Sequence, residues 1–144
     1  MSRKMVVLSV ASVFLALTLA TCNGLLRVPA GQLAFPGASL TKSGESYGDS
    51  NQATRQYSFA SPPTAAEVFA WYASQLATSG YTRTVGPSAD QSRVYEEFSG
   101  DGHPIGVTVD VTGTLPKGAK KGAWPVSPQT LQGLRVSSMT ITIE

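Results

Sequence analysis

The chain has 144 residues, the length of one domain, and is 42% apolar, enough to bury a single core. Its 11 Lys and Arg against 9 Asp and Glu give a formal charge of +2, but Arg3 and Lys4 precede an N-terminal apolar run, and beyond them the two signs balance. That balance excludes a broad basic face for nucleic acid.

Residues 5–20 are apolar apart from Ser9, Ser12 and Thr18, and they follow the short basic start. This is the layout of an export signal. The run is shorter than the ~20 residues that span a bilayer comfortably, so a cleaved signal over residues 1–21 is preferred to a permanent anchor. Cys22 is the single cysteine and sits where the signal ends. An exported protein with one cysteine has no internal disulfide to make, and the residue needs another role. The run Leu19-Ala20-Thr21-Cys22 resembles the lipobox of bacterial lipoproteins, with Thr21 where that pattern carries Gly, Ala or Ser. The resemblance implies lipid attachment at Cys22. The alternatives are ordinary cleavage near Ala20, leaving a free thiol, and an uncleaved signal serving as anchor.

Residues 22–36 contain two prolines and two glycines and read as a tether, with the domain proper at 37–144. Leu25, Leu26, Leu33 and Phe35 are apolar enough for part of this tether to lie against the domain. A first strand runs through Leu40 after the Pro36-Gly37 turn, and residues 55–59 alternate as a second strand with Tyr57 and Phe59 on one face.

The strongest local pattern follows. Thr64 with Glu67 three residues on is a capping box, and Val68, Phe69, Tyr72 and Leu76 form one apolar stripe at helical spacing. Gly80 supplies the left-handed residue that stops a helix, and Tyr81 is placed to fold back over its last turn. A helix of about four turns with one apolar face needs a sheet or a second helix to cover it. No second helix of this quality is present, so the partner is a sheet.

A third strand over residues 81–85 ends at Gly86-Pro87, and a fourth spans 91–99 with Val94, Tyr95 and Phe98 as apolar members. There the pair Glu96-Glu97 breaks the alternation and predicts a bulge or an edge position. After the turn Gly100-Asp101-Gly102, Ile105, Val107, Val109 and Val111 alternate cleanly as a fifth strand. In the last strand, 134–143, Leu134 and Val136 occupy even positions while Met139, Ile141 and Ile143 occupy odd ones, which predicts a bulge near Ser137-Ser138. Residues 113–133 make a long connection, with one helical turn from Ser127-Pro128 through Leu131. The expected fold is α+β: an antiparallel sheet of about five to six strands with one main helix on one face, a two-layer sandwich.

Phe35-Pro-Gly-Ala38, the strand pair, Pro63 to Val68, Trp71-Tyr72, Leu76 and Gly80-Tyr81 together resemble small exported bacterial domains of unassigned function. The likeness spans roughly residues 35–98. It implies a fold and carries over no active site.

Chemistry is sparse. His103 is the single histidine, and as a base it would need Asp101 or Asp110; the plainer reading is an exposed turn histidine. No nucleophile elbow, phosphate loop or metal-ligand spacing occurs, so no catalytic residue, metal or cofactor is assigned. Asp90, Glu96, Glu97, Asp101 and Asp110 lack the spacing of a calcium loop and read as a solvated strand face. Trp71 lies beside the helix stripe and reads as a packing residue. Lys117, Lys120 and Lys121 with Trp124 form a cationic–aromatic stretch suited to anionic head groups or wall polymers, against the plain reading of a mobile solvated loop whose indole tucks onto the sheet. The expectation is a non-enzymatic binding or accessory module attached to the membrane of the bacterial cell envelope through a lipid or signal anchor, with an envelope protein or polymer as partner. The alternative is a small-ligand carrier or an enzyme with a pocket between helix and sheet.

Overall fold

The computed structural model describes residues 33–46, 52–100 and 103–144. Seven strands form one wholly antiparallel sheet: β1 Ala38–Ser46, β2 Gln52–Phe59, β3 Thr82–Asp90, β4 Arg93–Gly100, β5 His103–Thr112, β6 Trp124–Pro125 and β7 Arg135–Ile143. Their spatial order is β1-β2-β7-β5-β4-β3-β6. Among the described residues the α-helices are α1, Ala65–Thr78, and the short α2, Pro128–Gly133. The class is α+β, with seven strands where five to six were expected. The extra strand, β6, is two residues long inside the predicted loop, too short for any alternation to announce it.

Helix α1 begins as its sequence dictates. The Glu67 amide donates to Thr64 Oγ1 at 3.2 Å, and the Thr64 amide donates to Glu67 Oε2 at 2.7 Å, satisfying two orphan donors at once. The end is a Schellman motif: Gly80, at φ +82°, donates to Ala77 O at 3.1 Å, and Tyr81 donates to Leu76 O at 3.0 Å. Two further bonds, Ala65 to Leu134 O and Val136 to Pro63 O, both 2.9 Å, fasten the helix start to the head of β7.

Between those ends Val68, Phe69, Tyr72 and Leu76 are buried in one core with Val94 and Phe98 of β4, Ile105, Val107 and Val109 of β5, and Met139 and Ile141 of β7. Leu33 and Phe35, counted with the tether from sequence, belong to this packed unit. Leu33 is fully enclosed and its carbonyl accepts a hydrogen bond from the Tyr72 hydroxyl, while Phe35 packs edge-on against Phe59 and Trp71. Trp71 also packs edge-on against Tyr72, as a structural residue.

The change of face in β7 is resolved by a bulge at Ser137: opposite β5, Asp110 pairs with Ser138 and Val111 with Val136, leaving Ser137 unpaired. Ser137 Oγ donates to Asp110 O at 3.0 Å, and Ser138 Oγ to Asp110 Oδ2 at 2.8 Å. The irregularity expected at Glu96-Glu97 lies elsewhere. β4 pairs with β5 in continuous register and is no edge strand; the shifts fall in β3, around Thr84 and Gly86-Pro87, and β3 runs on past that dipeptide to Asp90. Glu96 therefore keeps the alternation and points inward with Val94 and Phe98.

Register also defines the other face of the sheet. Thr54 and Gln56 of β2, Thr140 and Thr142 of β7, Thr108 of β5 and Tyr95 and Glu97 of β4 alternate with the core residues and face away from α1.

Candidate functional site

The cationic–aromatic stretch is an ordered structure. After Pro116 the chain forms a 3-10 helix, Lys117–Lys121, whose Ala119 is buried while Lys117, Lys120 and Lys121 are exposed. Ala119 acts as the plug: its carbonyl accepts a 2.9 Å hydrogen bond from the amide of Gln91 in the β3–β4 turn. Gln91 holds φ +57°, a left-handed conformation. The chain then joins the sheet edge as β6, with Trp124 paired to Ala89 and Pro125 to Ser88, and Val126 donates to Pro87 O at 3.1 Å. These bonds and the buried Ala119 tie the segment to the β3–β4 turn and to the sheet edge.

The Trp124 indole lies on Gly118, where an added Cβ would fall 2.4 Å from Cδ2, so only glycine fits beneath it. Half of Trp124 stays exposed. Residues three apart eclipse one another on a 3-10 helix. Lys117 and Lys120 accordingly share one side, and both line a cleft of about 690 Å³ with Gln91, Ser92, Val111 and Leu115. Lys121 and Trp124 stand outside that cleft. The structure thus divides in two a group that sequence treated as one.

A second, smaller cleft of about 250 Å³ lies on the polar sheet face at Gly106, beside Tyr95, Glu97, Thr108, Thr142 and Glu144. Val68, Tyr72 and Leu76 of α1 have zero exposure.

Sequence reasoning placed Glu96 on a solvated face, and the structure corrects it. Glu96 is wholly buried; its Oε1 accepts from Nη1 of the half-exposed Arg83 at 3.0 Å. Burial pushes its carboxyl pKa up, with the Arg83 hydrogen bond and charge opposing. The sequence signal was the inward parity of Glu96 between Val94 and Phe98. His103 opens β5 while Asp110 lies seven residues along the same strand, roughly 23 Å away at strand rise, so the two do not meet. Asp110 is engaged by Ser138 and lies 3.7 Å from Arg93. Among the described residues no group of acidic, histidine or cysteine side chains converges as a metal site. Cys22, the signal and Asp101 lie outside the described residues. Among those described, no helix is long and apolar enough to cross a membrane.

Comparison with protein-family models, with curated proteins and with solved structures finds no match.

Proposed function

We propose that this chain is a cell-envelope domain, exported and held at the membrane through a lipid on Cys22, that works as a non-enzymatic binding module. Its contact surface is the ordered Lys117, Lys120, Lys121 and Trp124 group, and its partner is an anionic envelope surface or polymer. The observation that carries this reading is the packing of Trp124 on Gly118 beside exposed lysines of a pinned 3-10 helix. A half-exposed indole next to cationic side chains suits an interface where one end of the ring is apolar and the surroundings are charged. Fixing the backbone beforehand lowers the entropy lost when the surface is engaged.

The tether half of the proposal rests on the basic start, the apolar run and the position of Cys22. Two acyl chains, each contributing about 0.8 kcal/mol per buried methylene, anchor stably without a spanning helix. Growth with a fatty-acid analogue should label the protein, and Cys22→Ser should lose the label while the thermal unfolding midpoint stays unchanged. An N-terminal peptide with a free Cys22 thiol, or an intact Met1 start, contradicts the lipid anchor.

A further inference from the structure

We propose that the cleft between the β3–β4 turn, the end of β5 and the 3-10 helix binds a single anionic lipid. The phosphate sits between Lys117 and Lys120, and the first carbons of the chains lie on Leu115 and Val111. This rests on the anionic-contact reading above and names the ligand.

Charge and shape select the occupant. The lining of the cleft carries two lysines and no carboxylate, so an anion is favoured and a metal ion is not. Eclipsed positions on the 3-10 helix place Lys117 and Lys120 on the cleft side, and the bond from Gln91 to Ala119 O fixes that side against the sheet. Gln91 and Ser92 add polar side chains at the rim. Another part of the wall is apolar: Leu115 is half-buried, and Val111 is buried. A bare phosphate would leave that part against water, and about 690 Å³ is far more room than one phosphate fills. A phosphate with a short apolar continuation matches both parts. Trp124 and Lys121, outside the cleft, then face the surrounding surface.

The probe is a short-chain phosphatidic acid kept below its aggregation concentration, titrated into the full chain and followed by amide chemical shifts. Saturable shifts are expected at Gln91, Ser92 and Leu115. Lys117→Gln with Lys120→Gln should weaken binding by about tenfold or more, whereas Lys121→Gln should change it less than about twofold. Leu115→Asn should also weaken it, and inorganic phosphate at the same concentration should give no saturable shift. The assignment is overturned if Lys121→Gln weakens binding as much as the cleft pair does, if phosphate alone binds equally well, or if nothing saturates. A vesicle preference that survives alongside an unbound soluble lipid would leave the surface contact standing and end the cleft assignment.

Discussion

Oε1 of Glu96 meets Nη1 of Arg83 at 3.0 Å, yet Oε2, in a residue with no solvent exposure, has no hydrogen-bond partner among the described residues. The carboxylate is held inward by its parity on β4, and Gly86 lies over it so closely that an added Cβ would fall 3.1 Å from Glu96 Cα and 3.2 Å from its Cγ. A half-satisfied buried carboxylate favours its protonated form. With the folded pKa above its ordinary 4.5, the native state binds more protons than the unfolded chain once pH rises past that value. Stability from this group is therefore full below that ordinary value and is lost as pH rises from there through the raised folded one. Urea unfolding across that range should show the decline, and Glu96→Gln should flatten it. Equal slopes in the two proteins would rule the group out.

Glu67 acts in the opposite direction. The Thr64 backbone hydrogen bond, followed by its side-chain bond, lowers the Glu67 pKa, so its contribution is present above 4.5 and is lost as pH falls through the folded value. Thr64→Ala removes the side-chain half of the reciprocal cap and should cost about 1 kcal/mol near neutral pH. In that variant the acid-side loss of stability should shrink. Chemical denaturation at two pH values measures both effects.

Leu76 is fully enclosed under the last turn of α1. Leu76→Ala should cost about 2–5 kcal/mol through lost transfer energy and a residual cavity. Leu40, 56% exposed on the edge strand β1, is the control: Leu40→Ser should move stability by less than about 0.5 kcal/mol.

Gly118→Ala tests the seat of Trp124 without changing charge. The new methyl would meet the indole at 2.4–2.9 Å, so the ring must leave. Trp124 emission should shift to the red while the unfolding midpoint of the core is little changed. An unaltered spectrum would mean that the indole does not rest on residue 118.

Local signals that compete with nothing were readable from sequence. The capping box at Thr64, the stop at Gly80 and the clean alternation of β5 each describe a segment whose neighbours agree with it, and the parity change in β7 located its bulge at Ser137. The path of residues 113–133 was not readable, because its order comes from contacts distant in sequence: Gln91 to Ala119, Val126 to Pro87, and the pairing of Trp124 with Ala89. Glu96 was misplaced because composition favoured solvent while register with Val107 demanded burial, and register prevailed. Leu33 joined the core through a hydrogen bond from Tyr72, 39 residues along the chain. The lysines were visible as a cluster, but their division between a cleft and an outer face depends on the 3-10 turn.

On the proposed function, Lys117, Lys120, Lys121 and Trp124 make contact with an anionic surface. Co-sedimentation of the full chain with vesicles of phosphatidylcholine, with and without phosphatidylglycerol, measures it directly, since anchor insertion is common to both. The chain should prefer the anionic vesicles; changing all three lysines to Gln should abolish the preference, and raising salt from low to physiological strength should weaken it. Equal binding to both vesicle types at low salt, or a preference undiminished in the triple variant, would contradict the account.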